Sequence, residues 1–525
     1  MAREQTTTAF FFNGKIATFD TEKALVRAVS VEDGRIVCVG DVDEVRRMVP
    51  RGSHRYDLGG KVVVPGFIDC HTHFMQMGLD ALTVELSQTK TIEEALSLMK
   101  EVARRMPEGE WIIGTGWKES GWINGRFITR IDLDAACPNH PAVAHRVCGH
   151  LSSVNSRALS LLGIDAKTPD VELDASGKMT GVLTESAVSI ARAATRPDSA
   201  KKSKGLALAV RKAHSLGVTS IHDNGDSSDF DIYRSAEKAG RLGVRIWFNT
   251  PTDTLDSRKR LFLSTGMGSD WLKIGGLKVF CDGALGARTA ALSQPFYDDP
   301  KNRGCFVHER GEFEDIVADA NDIGIQLAVH AIGDSGIDVT IAALSSALDK
   351  NPQRDHRHRI EHLELPAKPH LALMRRMRLI ASMQPNFVGE WGGADGMYVS
   401  RLGEARTSRN NPFREVLQSK VKLVFGSDCM PMSPLYGIHS AVNAPYPSQR
   451  IAAVDAFSAY TVDAAYASFE ERIKGSISEG KFADFVVLSG DPFETPQNIG
   501  MMTVLRTIIG GSVAYEKSED KNRKR

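Results

Sequence analysis

The sequence predicts an α/β protein: a (β/α)8 TIM barrel with a small β-sandwich domain formed by both termini and an inserted subdomain after the first barrel strand. Three observations carry that prediction. Eight short apolar runs recur along the middle of the chain, near-continuous as in parallel strands buried on both faces. Helical patterns such as KSKGLALAVRKAHSLG and FEDIVADANDIG separate most of them, which is the alternation a barrel needs. Both chain ends carry a strand-and-turn texture that the middle lacks.

The first 60 residues read as short strands, AFFFNGKIATF, ALVRAVSVEDGRIVCVG and HRYDLGGKVVVPG, punctuated by NG, DG and GG turns. GKFADFVVLSGDP and TVLRTIIGGSVAY repeat that texture near the other end, so residues 1–62 and 470–515 are expected to form one composite domain. The barrel is expected over 63–469. Its strands are KVVVPGFIDCH (61–71), VTSIHDNG (218–225), VRIWFNT (244–250), KIGGLKVFCDG (273–283), IQLAVHAIGD (325–334), HRIEHLE (358–364), RLIASMQP (378–385) and KLVFGSD (422–428). Residues from about 75 to 200 are too many for one crossover, which needs only about a dozen. With a helix (TIEEALSLMKEVARRM) and a Trp/Gly segment (EWIIGTGWKESGWING), they read as a subdomain near the barrel mouth. The charged tail 516–525 lacks periodicity and is expected to be disordered.

Composition excludes several roles. Sixty-five basic side chains balance 65 acidic ones, so there is no excess to neutralise a phosphate backbone and no nucleic-acid partner is expected. No run of about 18 apolar residues appears, so no membrane span is expected, and the N-terminus lacks the order of a signal peptide. Seven cysteines without a CxxC pair suit a reducing compartment. The expectation is a cytoplasmic enzyme acting on a small-molecule substrate, assembled as a homo-oligomer, a dimer first.

Chemistry is concentrated where the apolar strands end. The first strand closes in Asp69-Cys70-His71-Thr72-His73, and residues two apart on a strand point to one side, so His71 and His73 project together. His330, His362 and Asp428 end the fifth, sixth and eighth strands, and Lys278 lies within the apolar fourth. The C-terminal strand ends of a barrel converge on its active site. Four imidazoles and a carboxylate there suit one or two borderline divalent ions, zinc first. A single His at a strand end is ordinarily a satisfied rim residue; five strands placing such groups at one mouth by coincidence is not ordinary. A divalent ion brings the pKa of water close to neutrality, so Asp428 would take its proton and pass it to the leaving amine, with His330 or His362 helping to hold the oxyanion. His222, ending the second strand, and His150 stand outside that set as further metal or substrate candidates. Arg288 could meet a substrate carboxylate bidentately, and Trp117 could pack on an apolar substituent.

PGFIDCHTH, the strand histidines, GSD and GSISEGKFADFVVL together resemble the amidohydrolase superfamily of metal-dependent hydrolases, over nearly the whole chain. GTGWKESGW, GHLSSVNSRAL, TGVLTE, GGLKVFCDGALGARTAAL and HRIEHLEL are similar to the branch of N-substituted formamide deformylase and the exoenzyme regulatory proteins. The resemblance implies that His71, His73 and Asp428 bind the more buried metal and that His330 and His362 bind a second. It implies that Lys278 is N-carboxylated and bridges the two, burial favouring the neutral amine that takes up carbon dioxide. Glu185, in TGVLTE, is a second candidate ligand. The expected activity is hydrolysis of an amide-type C–N bond in an N-acyl or N-formyl amine with an aromatic or apolar part. Deamination, ester or carbamate hydrolysis and decarboxylation at the same site are the alternatives. A catalytically inactive binding protein is disfavoured by the complete ligand set.

Overall fold

The structure, a computed structural model, describes residues 8–119, 122–123, 125–147 and 150–518. The chain divides into two compact units: residues up to Phe74 with those from Val210 on, and Met75–Ala209. The expected disordered tail lies outside the described residues from 519 on, as do Ser120, Gly121 and Asn124 of the Trp/Gly segment.

The first unit holds the barrel. Its strands are β1 (Phe67–Thr72), β2 (Val218–Asn224), β3 (Arg245–Pro251), β4 (Leu272–Phe280), β5 (Leu327–Ala331), β6 (Arg359–His362), β7 (Ile380–Met383) and β8 (Lys422–Phe425). They pair in that order, every pair parallel. All residues of β1, β2, β5, β6 and β7 are buried, which is why these segments read as unbroken apolar runs. The ring nearly closes through the turn after β8. Asp428 N–H donates to His71 O at 2.7 Å, and Ser427 gives Asp69 its N–H at 2.8 Å and its hydroxyl at 2.5 Å. Closure therefore fixes the Gly-Ser-Asp turn against the HxH strand.

Eight strands from the two ends of the chain join in a second sheet of the same unit: Thr8–Ala17, Leu25–Glu32, Arg35–Gly40, His54–Asp57 and Val62–Pro65 with Phe485–Leu488, Val504–Ile509 and Ser512–Glu516. The Asp33-Gly34 and Gly510-Gly511 turns have positive φ at both residues, as a two-residue hairpin requires. Phe11, Val29, Val31, Phe485, Val487 and Ile508 are among the residues of its core. The expected single strand over 61–71 is two strands in two sheets: Val62–Pro65 pairs with Phe485–Leu488, and the barrel begins at Phe67. Gly66 makes the crossing, because a Cβ there would lie 2.3 Å from Thr219 Oγ1. Apolar content alone could not register that switch.

The second unit is a six-stranded sheet ordered Val171–Leu173, Met179–Thr184, Leu151–Val154, Ala142–Arg146, Ile112–Trp117 and Val84–Glu85. The helices Ile92–Ala103 and Arg130–Ala136 contribute Met99 and Leu133 to its core. Among the described residues no helix is long and apolar enough to cross a membrane.

Candidate metal centre

Strand alternation turns Asp69 and His71 of β1, and Lys278 and Phe280 of β4, to the barrel interior. At β6 the alternation would send His362 the other way from Glu361. Positive φ at His362 (70°) and Leu363 (49°) bends the strand end, and His362 lies against His71, ring centroids 4.7 Å apart. His330 meets His362 at 4.4 Å, His71 Nε2 lies 3.2 Å from Lys278 Nζ, and Asp428 Oδ1 lies 3.2 Å from His73 Nε2 and 3.7 Å from His71 Nε2. The structure therefore brings together His71, His73, Lys278, His330, His362 and Asp428.

The hydrogen bonds around these imidazoles set which nitrogen is free. His73 Nδ1–H donates to Asn224 O at 2.9 Å, leaving Nε2 toward Asp428. His330 Nε2–H donates to Gly283 O at 3.0 Å, leaving Nδ1. His71 Nδ1–H donates to Glu361 Oε2 at 2.6 Å, leaving Nε2. His330 Nδ1, His362 Nδ1 and Asp428 Oδ1 are buried without a hydrogen-bond partner. A buried lone pair left unpartnered is costly unless something else occupies it.

Burial drives His71 and His362 far below the ordinary imidazole value, and His330 down to about 4, with Lys278 adding to each. Burial works to raise Asp428, but His73 and the charge of Lys278 hold it below the ordinary carboxylate range. Burial would also lower His73, yet Asp428 raises it. Lys278 is brought down to about 8 by burial, against the opposing pull of Glu361 and Asp428. The neutral imidazoles of His71, His330 and His362 facing an ionised carboxylate suit a divalent metal. One ligand atom each from His71, His362 and Asp428 lies within 4.8 Å of the others. The residues present fit a metal.

An amidohydrolase family pattern matches residues 55–515. The chain belongs to the amidohydrolase family. YtcJ of Bacillus subtilis is 31% identical, covering 97% of this chain and 100% of that protein. N-substituted formamide deformylase of Arthrobacter pascens is 29% identical, covering 96% and 98%. The crystal structure of an uncharacterized metal-dependent hydrolase from Pyrococcus furiosus superposes with a TM-score of 0.79 at 29% identity, covering 93% of this chain and 100% of that one. The barrel fold and the hydrolase class implied by the sequence resemblance therefore stand.

Of the other expected site residues, two belong to the first unit and three to the second. His222 is wholly buried lower in the barrel, its Nδ1 taking a 2.7 Å hydrogen bond from Arg359. Arg288 spends its fork on Asp298, at 3.1 and 2.9 Å. Trp117 is a core residue of the second unit. Its indole is fully buried, stacked on Trp122 at 5.6 Å, and its N–H donates to Ala144 O. His150 and Glu185, also in the second unit, are exposed and face each other at 3.3 Å. Sequence reading missed Glu361, Phe280 and the Asp69–Ser427 clasp. The available signal for Glu361 was a second charged residue in the short strand Arg359–His362, next to a candidate ligand. Phe280 sits two residues beyond Lys278 with its ring 5.1 Å from His330.

Proposed function

We propose that this amidohydrolase cleaves the amide-type C–N bond of an N-formyl or N-acyl amine bearing an aromatic or bulky apolar substituent. The observation that carries the reading is the convergence of neutral imidazoles on ionised Asp428, with aromatic rings beside them. Phe387 lies parallel to His362 (6.0 Å, 11°), Trp391 packs on Phe387 at 4.6 Å, and Tyr398 meets Trp391 edge-on at 6.2 Å. The kinship with a formamide deformylase supports a small acyl group on nitrogen.

His71, His73, His330, His362 and Asp428 would hold one or two divalent ions, zinc being the ion best matched to imidazole and carboxylate donors. Such an ion supplies Lewis-acid polarisation of a carbonyl and brings water near its deprotonation point at neutral pH. Asp428 takes the proton of the attacking water and returns it to the leaving nitrogen, so one carboxylate serves as base and then as acid. His73 Nε2, 3.2 Å from Asp428 Oδ1, is directed at the same point as that carboxylate. Lys278, with its amine brought toward neutrality by burial, is the group able to form a carbamate. The packed rings of Phe387, Trp391 and Tyr398 back one side of the centre, and Phe280, exposed beside His330, receives the substituent.

The test is a substrate panel with metal analysis. Purified protein should contain divalent metal and hydrolyse N-formyl benzylamine in preference to matched esters and carbamates. His71→Ala and His362→Ala should each lose metal and activity while remaining folded. Full metal occupancy in both variants would overturn the ligand assignment, and a preference for esters would overturn the C–N specificity.

A further inference from the structure

The barrel interior beneath the centre is ionic. Arg359, Glu361, Ser382 and His222 are all buried there. Glu361 of β6 lies in register with Ser382 of β7, whose hydroxyl donates to Glu361 Oε2 at 2.7 Å. The same oxygen takes the His71 Nδ1–H at 2.6 Å, while Oε1 takes Arg359 Nε–H at 2.6 Å. The remaining guanidinium nitrogens donate to Cys70 O at 2.8 Å and His222 Nδ1 at 2.7 Å.

Fold stability alone does not account for this array. Desolvating each ion costs several kcal/mol, and a packed apolar pair of similar volume is often as stable or more so. The array touches the centre at one point, His71. We propose that Glu361 is a positioning residue that holds His71 in the tautomer and orientation needed for metal binding, with Arg359 and Ser382 holding Glu361. The proposal rests on the metal-centre reading above. An ionised carboxylate only accepts hydrogen bonds, so His71 must carry its proton on Nδ1 and present a lone pair at Nε2, 3.2 Å from Lys278 and 3.7 Å from Asp428. A side-chain amide in place of Glu361 can donate to Nδ1 instead. That admits the other tautomer, whose Nε2–H cannot bind a cation. Carboxylates behind metal-binding histidines commonly act in this way.

The experiment compares zinc dissociation constants by chelator competition in metal-free, full-length wild type, Glu361→Gln and the paired Arg359→Met/Glu361→Gln, alongside the melting temperature of each metal-free protein. Glu361→Gln should weaken zinc binding by about 10- to 100-fold with little change in metal-free melting. The paired variant, which leaves no unpartnered buried guanidinium, should show the same loss and serves if the single variant does not fold. Zinc binding as tight as wild type in a folded variant would overturn the role of Glu361 and leave the centre standing. Failure of the wild type itself to bind zinc would overturn the centre, and this proposal with it.

Discussion

Phe280→Ala tests the aromatic-substrate reading where the structure gives a magnitude. The side chain points into the barrel opening beside His330 and remains 41% exposed. A phenylalanine carries about 200 Å² of surface, so roughly 80 Å² is available for a substrate ring to cover, worth about 2 kcal/mol at 25 cal/mol/Å². If an aromatic substituent packs there, the variant should lose roughly 30-fold in kcat/KM on N-formyl benzylamine, taking 1.4 kcal/mol per tenfold. The loss on N-formyl methylamine should be far smaller, because that substrate cannot reach the ring. The comparison is needed because Phe280 also lies 4.8 Å from Lys278 Nζ, and disturbing the lysine would slow both substrates alike. Progress curves for the two amides, with metal content matched, give the ratio. Equal losses on both, or none, would refute the reasoning and confine Phe280 to packing around Lys278.

Asp484→Ala should destabilise the protein by about 3–5 kcal/mol, because it strands buried Arg245, now paired at 2.7 Å between Phe482 and Trp271; calorimetry should show a lowered midpoint that Arg245→Met/Asp484→Leu recovers. Burial holds His358 well below its ordinary value of 6.5, so below that pH the unfolded chain takes up a proton the folded chain refuses and stability falls with pH. His358→Gln should flatten that acid limb in melts from pH 7 to 5. Trp117→Ala should cost about 3–5 kcal/mol within the second unit, seen as faster hydrogen exchange over residues 84–183, with equal effects on bulky and small substrates. Cys429→Gly should raise stability by about 1 kcal/mol by relieving a left-handed residue while lowering kcat/KM by loosening Asp428; a variant that melts earlier or keeps full activity would contradict this.

What the sequence made legible followed from periodicities that do not depend on distant contacts. His71, His73, His330, His362 and Asp428 end apolar runs, and once eight runs imply a barrel, its geometry alone brings their ends together. The terminal sheet was readable from turn chemistry, since Asp33-Gly34 and Gly510-Gly511 specify tight hairpins locally. The parts that escaped reading are those where an environment, not a pattern, assigns the role. Trp117 lies in a glycine-rich segment that reads as a loop, yet its indole finds a stacking partner in Trp122 and is buried. Arg288 looks available until Asp298, ten residues on, folds back to take both its donors. Arg359 and Glu361 read as the charged ends of a strand, because nothing in one strand's sequence shows that His71, Ser382 and Cys70 O come from other strands to satisfy them.

Several non-glycine residues have positive φ, and four of them lie at the donors. His362 and Leu363 both have positive φ, as do Asp428 and Cys429, and none of the four is glycine. Each such residue costs of order 1–3 kcal/mol and persists only when its surroundings over-determine it. At β6, Leu363 N–H is held by Ala331 O at 3.1 Å, and the Leu363 side chain is fully buried. After β8, Asp428 N–H is held by His71 O at 2.7 Å and Cys429 N–H by Ser427 Oγ at 3.0 Å. Regular strands ending at these positions would place alternate side chains outside the barrel and leave two of the donors pointing away from His71. The bends bring them back, and the clasp between Asp69 and Ser427 ties one of them to the strand that carries His71. Strain at the two turns that deliver His362 and Asp428 is what a site built for a ligand requires. A barrel selected for stability alone would have placed glycines there.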